Sequence, residues 1–413
     1  MMDILYVVPY VPNLIRVRPY NLIRHLSERG HRLTVLTLWS DEQERASLED
    51  LRHMVHQVQA VHLPAWRSLV NCLIALPSRT PLQAVYSWDA ALAEQIGQLT
   101  WQGNSHSPFD VVHVEHLRGV RYALDLKPRL KGRHPRLPIV WDSVDSISLL
   151  FRQAMVRSTS RFSRELTRFE LGRTERYEGW LIDQFDRVLV TSPLDKAALA
   201  SLAPPGGERI TVLPNGVDLD YFKPHAGLPR EPATLVISGK MSYHANVTMA
   251  LHFVQDILPL IWLENPDVKV CIVGKDPPAS LQSLAEDPRV LVTGIVDDLR
   301  SYLQRATLAV APIRYGTGIQ NKVLEAMACG TPVVTTYQAV SALQAVPDQD
   351  LILADHPYEF AQAVLGLLND PEKRLRVSRA GRSYVEKYHD WRKAAADLEG
   401  IYLAVSEFAP ALA

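Results

Sequence analysis

In the stretch GIQNKVLEAMACGTPVV, residues 318–334, one carboxylate, Glu325, stands among Val323, Leu324, Ala326, Met327, Ala328 and Cys329. Lys322 lies three residues earlier, which puts both charges on one face of a helix. Gly316 and Gly318 precede them and let the backbone turn tightly and come close to a ligand. A helix starting near Ile319–Asn321 aims its free N–H groups into that loop, and this end suits a phosphate. A cation in the first helical turn, as Lys322 is, makes sense facing an anion. A surface Lys322–Glu325 ion pair is the plainer alternative. The chemical reading is a carboxylate that accepts two hydroxyl hydrogen bonds, as from a ribose, beside a site for phosphate.

Other residues at strand ends could join such a site. After the first strand, NLIRVRP (13–19) carries Arg16 and Arg18, which suit an acceptor or a phosphate, or are plain surface arginines. WDSVD (141–145) ends another strand, and Asp142 or Asp145 either binds acceptor hydroxyls or caps the next helix, the cap being favoured. Asp218-Leu219-Asp220 has the spacing of a metal motif, but it follows Asn215-Gly216 and reads as a turn. No glycine stands between Met1 and Arg29, which argues against a dinucleotide site there. GxSxG, Walker A, HExxH and CxxC patterns are absent. No nucleophile and base are visible from spacing, and no metal is expected.

The elements that must position these groups alternate between short β-branched runs and helical stretches. DILYVV (3–8), RLTVLTL (32–38), VVHVE (111–115), IVWDS (139–143), RVLVTS (187–192) and ITVLPN (210–215) read as a first set of strands. One long helix is expected over roughly 146–183. LVISGK (235–240), KVCIVGK (269–275), RVLVTG (289–294), LAVAP (308–312) and PVVTT (332–336) form a second set. Such alternation predicts an α/β fold with two doubly wound parallel sheets facing across a cleft. The domains are expected at 1–220 and 221–390, with 391–413 returning to the first. Ligands of these sheets bind beyond the carboxyl ends of the strands.

Composition fits this picture. The 413 residues are 47% hydrophobic and 22% charged, a globular balance for two domains. A net charge of −1 gives no argument for nucleic-acid binding. Cys72, Cys271 and Cys329 lie far apart and read as reduced thiols. The first residues read as a strand rather than a signal peptide, and no run of about 18 apolar residues is present. A cytoplasmic chain is expected. Residues 118–180 carry fourteen Lys or Arg against seven Asp or Glu, a local +7. This suits an anionic membrane surface or a phosphorylated acceptor, with a solvated helix surface as the alternative.

The order of LPNGVD (213–218), LVISGK, KVCIVGK, VTGIVDD (292–298) and the glycine loop with KVLEAMACGTPVV resembles the glycosyltransferases of the GT4 family. The opening PNLIRVRPYNLIRHLSERGH is similar to sugar transferases of exopolysaccharide and surface-glycan assembly. The resemblance implies a GT-B fold of two Rossmann-like domains. It also implies retaining transfer of a sugar from a UDP- or GDP-sugar to a glycan or lipid-linked acceptor, with no cofactor. It gives Glu325 the ribose. The glutamate that the family places eight residues earlier is Thr317 here, so backbone N–H groups of Thr317 to Gln320, Ile319 included, would hold the donor. Lys240 after Gly239, with Arg314 and Lys322, would neutralise the diphosphate. At the end of VVHVE, Glu115 stands where the family has a histidine near the donor sugar, and His116 follows. One of the two would touch the sugar or the acceptor hydroxyl, while His113 is structural. The rival readings are an epimerase and an inactive scaffold subunit of a glycan-assembly complex.

Overall fold

The computed structural model describes residues 1–101, 107–131, 137–157, 161–225, 227–315 and 319–407. The chain forms two compact units, Met1–Pro214 with Trp391–Ala413, and Asn215–Asp390.

Among the described residues the first unit holds seven parallel strands: β1 Asp3–Val8, β2 Arg32–Trp39, β3 Gln57–His62, β4 Val111–Glu115, β5 Ile139–Val144, β6 Arg187–Val190 and β7 Ile210–Val212. Their order is β3-β2-β1-β4-β5-β6-β7, the doubly wound arrangement. Both faces are covered, so the central strands are mostly apolar, with His113, Glu115 and Asp142 among the buried polar exceptions. Along β1, Leu5 and Val7 enter one core with Leu117, Val120 and Ala123 of the helix His116–Leu130. Ile4, Tyr6 and Val8 enter the other core. That second core is completed by Leu22, Ile23 and Leu26 of the helix Val17–Glu28 and by Trp391, Leu398 and Tyr402 of Trp391–Glu407. The edge strand β3 was not expected. Its QVQAVH sequence is polar at alternate places and half-exposed, so it lacks the apolar run of its neighbours.

The single long helix expected over 146–183 is instead two, Ile147–Arg157 and Arg161–Ile182. Neither Asp142 nor Asp145 caps the first of them. Its leading N–H groups, Ile147 and Ser148, donate to Glu178, and Leu149 N donates to Ser146 Oγ. Asp142 is drawn away by Arg18, and Asp145 accepts from the Thr191 hydroxyl.

The second unit carries β8 Thr234–Ser238, β9 Lys269–Val273, β10 Val290–Val292, β11 Leu308–Ala311, β12 Val333–Thr335 and β13 Ile352–Leu353, in the order β10-β9-β8-β11-β12-β13, all parallel. The segment His244–Glu264 is long and apolar enough to cross a membrane. It nevertheless buries Met249, Phe253, Ile257 and Ile261 in the core of this unit, as a helix packed on a sheet does. A π turn at Phe253–Ile257 takes up the missing N–H of Pro259. The ends of the unit meet: Val217 N donates to the His389 carbonyl, and His389 Nδ1 lies 2.7 Å from the Asn215 carbonyl.

Two glycines at strand ends are required by space. Gly274, at φ 157°, would place a Cβ 1.7 Å from the Gly239 carbonyl oxygen, and Gly239 itself is at φ 151°. Gly274→Ala should therefore cost about 3 kcal/mol. Gly366→Ala, on an open helix position, should be neutral or slightly stabilising. Urea denaturation of the two variants checks this difference.

Candidate active site

In the second unit the residues with chemistry gather at the carboxyl end of the sheet. β8 and β11 are neighbours. Lys240 follows the end of β8 and is exposed, and Arg314 follows the end of β11 and is also exposed. Gly316, Thr317 and Gly318 lie outside the described residues. The chain is described again at Ile319, which is buried, and Gln320, which precedes the helix Asn321–Ala328.

That helix answers the question raised by its sequence. Val323, Leu324, Ala326, Met327 and Ala328 are buried against the sheet. Asn321, Lys322 and Glu325 occupy the remaining, half-open face. Glu325 is thus not inside an apolar helix but on its polar stripe. The Lys322 ammonium donates to Gln320 Oε1 at 3.0 Å. Burial pushes the Glu325 carboxyl up to about 7, opposed by Lys322. Burial likewise pulls the Lys322 ammonium down to about 8, opposed by Glu325. Both groups are desolvated and reach full charge together only within a narrow range, a state that a ligand with hydroxyls and an anion would stabilise.

Tyr315 and His244 escaped sequence reasoning. His244 begins the helix His244–His252, and its ring stacks on Tyr315 with Nδ1 2.7 Å from the phenol oxygen. The Thr248 hydroxyl is 3.2 Å from the same oxygen. The residue before the glycine loop is thereby tied to the helix that follows β8. A tyrosine directly ahead of the loop was the available signal.

In the first unit the strand ends carry strain. His116, just past β4, sits at φ 62°, and Val144, at the end of β5, at φ 68°. Left-handed backbone is costly for a β-branched residue and clusters at functional places. Glu115 is fully buried and accepts from the Tyr6 hydroxyl at 3.1 Å and the Tyr10 hydroxyl at 2.7 Å. Burial and the nearby Asp142 push its carboxyl well up. So enclosed, Glu115 braces the Tyr6 and Tyr10 hydroxyls, and of the two residues expected near the sugar His116 is the more open. His116 is half-open, its Nδ1 accepts from Arg118 N at 3.3 Å, and burial pulls it down to about 3. It is a neutral hydrogen-bonding imidazole. His113 shares the face of Tyr6 and stacks on it at 4.1 Å, with Nδ1 2.8 Å from the Tyr402 hydroxyl.

The two arginines part company. Arg16 is partly exposed, lies 4.4 Å from the Tyr10 ring centre and pairs with Glu44 at 2.7 Å. Arg18 is buried. Its Nε and Nη2 each reach Asp142 Oδ2 at 2.8 Å, and Nη1 donates to the Leu213 carbonyl. Arg18 and Asp142 therefore brace β5 against the helix Val17–Glu28, where acceptor contacts were expected. Asp218 Oδ1 accepts from the backbone N–H of Asp220 and Tyr221, the turn foreseen for that motif.

A model of glycosyl transferases group 1 matches residues 232–370, and one of Glycosyltransferase Family 4 matches residues 16–221. The chain belongs to the family 4 glycosyltransferases. A glycogen synthase from Mycobacterium tuberculosis is 31% identical over 240 residues, 55% of this chain and 56% of its own length. This chain therefore matches little more than half the length of that relative. A D-inositol 3-phosphate glycosyltransferase from Paenarthrobacter aurescens is 26% identical, covering 76% of this chain and 78% of its own. Among solved structures, Anabaena HepE in complex with UDP and glucose superposes with a TM-score of 0.68 at 14% identity, over 98% of this chain and 100% of that one. Sucrose-phosphate synthase from Thermosynechococcus elongatus gives 0.67 at 16%, over 98% and 99%. These likenesses establish the GT-B fold of the family for this chain.

The +7 segment is less free than its charge suggests. Arg152 pairs with Glu175, Arg129 with Glu94 and Asp125, and Arg173 with Glu170. Arg118, Arg121 and Lys127 lie over Tyr86, Trp88 and Phe185. Arg133 and Arg136 lie outside the described residues, as do the side chains of Arg157 and Arg161.

Proposed function

We propose that this chain moves a sugar from a nucleotide diphosphate to a hydroxyl of a glycan or lipid-linked glycan, with retention of anomeric configuration. The observation that carries the reading is the half-open face bearing Lys322 and Glu325 at the carboxyl end of a parallel sheet. Glu325 would accept both ribose hydroxyls. Lys240, Arg314, Lys322 and the N–H groups at the start of Asn321–Ala328 would neutralise the diphosphate as it leaves. Its departing oxygen takes the acceptor proton on the same face of the sugar, so no protein nucleophile is needed. The reading assigns charge neutralisation to protein cations and needs no metal ion. HepE was crystallised with UDP and glucose, which makes a UDP-hexose the first donor to try. Arg16, just before the helix Val17–Glu28, and His116, just past β4, would meet the acceptor. The reading sets the chain in the cytoplasm, against an anionic membrane surface when the acceptor is lipid-linked.

Calorimetry with UDP-, GDP- and TDP-sugars in EDTA tests this. One donor class should bind, with affinity unchanged by the chelator. Failure of all three to bind would overturn the reading in favour of a scaffold subunit.

A further inference from the structure

The helix Ala65–Ala75 is built inside out. Trp66, Leu69, Val70, Leu73 and Ile74 recur at the spacing of one helical face, and all are between 40 and 72% exposed. The side that packs on the protein is small and polar. Ser68 and Ala75 are buried, Asn71 donates to the Trp88 carbonyl at 2.8 Å, and the Cys72 thiol lies 3.8 Å from the Leu82 carbonyl. An amphipathic helix normally turns its apolar stripe inward, so this stripe is made for another apolar phase.

The patch continues onto the helix Arg161–Ile182. Arg173 donates from Nη2 to the carbonyls of Ala75 and Ser78, and its guanidinium lies 4.7 Å from the Phe169 ring centre. Phe169 and Leu166 are themselves about half exposed. Positive charge prevails around this surface, although Arg67 pairs with Asp89 and Glu165 is exposed beside Leu166. Residues 51–88 include Arg52, Arg67 and Arg79 and no aspartate or glutamate. Arg79 and Arg168 are exposed at its border. The helix starts three residues after β3, at the carboxyl end of the first sheet. The short helix Leu82–Tyr86 then links it to Arg118, whose guanidinium lies 4.8 Å from the Tyr86 ring centre, beside the strained His116.

We infer that the outer face of Ala65–Ala75 inserts into the interface of an anionic phospholipid bilayer, with Arg79 and Arg168 against the headgroups. Trp66 and the aliphatic residues would lie at the acyl boundary, as the apolar side of an interfacial helix does. This turns the carboxyl end of the first sheet toward the lipid, where a lipid-linked acceptor would be presented. The inference builds on the membrane placement above and is independent of the donor.

Cosedimentation with vesicles of phosphatidylcholine and phosphatidylglycerol, without nucleotide, tests it. The native chain should bind, and bind less to phosphatidylcholine alone. Leu69→Ser with Ile74→Ser should lower vesicle affinity about tenfold or more, and these exposed changes should leave donor calorimetry and the melting temperature unaltered. Native-like vesicle binding by the double variant, or none by the native chain, would overturn the inference. So would sedimentation velocity showing a native dimer that the variant breaks, since the face would then belong to a second copy. A donor titration that fails while vesicle binding persists counts against the transferase reading alone.

Discussion

Glu325→Ala will raise the Kd for the nucleotide sugar that the native chain binds by about ten- to a thousandfold. Two hydroxyl bonds to a carboxylate, each worth roughly 1.5–3 kcal/mol, set that range. The alanine fits the helix without strain, because Glu325 lies on the polar stripe and the apolar face is left intact. The pH dependence gives a second arm. Below about 7 the Glu325 carboxyl takes up a proton and loses acceptor capacity, so affinity falls as pH drops. Above about 8 Lys322 loses its charge, and attraction for the diphosphate fades as pH rises. Native affinity should peak between these values. Glu325→Gln should remove the acidic side of the peak and move the alkaline side to lower pH, because Glu325 no longer holds the Lys322 charge up. Calorimetry across pH checks both. An affinity unchanged in Glu325→Ala would remove the ribose from this helix.

Asp142→Ala is expected to lose about 3–5 kcal/mol of stability, which is the cost of stranding one member of a buried ion pair. Arg18 has side-chain exposure of 4% and Asp142 of 0%, so solvent cannot take over from the missing carboxylate. The pair Arg18→Met with Asp142→Ala removes the stranded charge and should recover part of the loss. Shifts of the urea midpoint measure this. If Asp142 instead served an acceptor, Asp142→Ala would fold with near-native stability and lose acceptor affinity.

Most strands were legible because parallel strands covered on both faces are mostly apolar, as Ile4–Val8 and, apart from His113, Val111–Val114 are. Gln57–His62 was not, because an edge strand needs no such run. The grouping of Gly239, Lys240, Lys322 and Glu325 at the carboxyl end of the second sheet was readable, since glycine and charge at strand ends stand out from the apolar runs. Glu115 misled. Its place at a strand end suggested reach, yet the two-residue period of β4 sets it on the face of His113, beneath Tyr10. Arg18 and Asp142 are 124 residues apart, and nothing local announces that they meet. Ala65–Ala75 carries the spacing of a core helix, and spacing alone cannot say which side the core is on.

The second unit interrupts the first, and its two ends are joined through Asn215, Val217 and His389. That topology reverses the usual order of assembly on the ribosome, where the leading domain folds first. The first sheet emerges early, but Trp391, Leu398 and Tyr402 fill one of its two cores, and Tyr402 holds His113 from 289 residues away. The inserted unit has all its strands by Leu353 and its closing contacts by His389. Synthesis therefore completes the inserted unit while the first still waits, with one face of its sheet only partly covered, for its last helix.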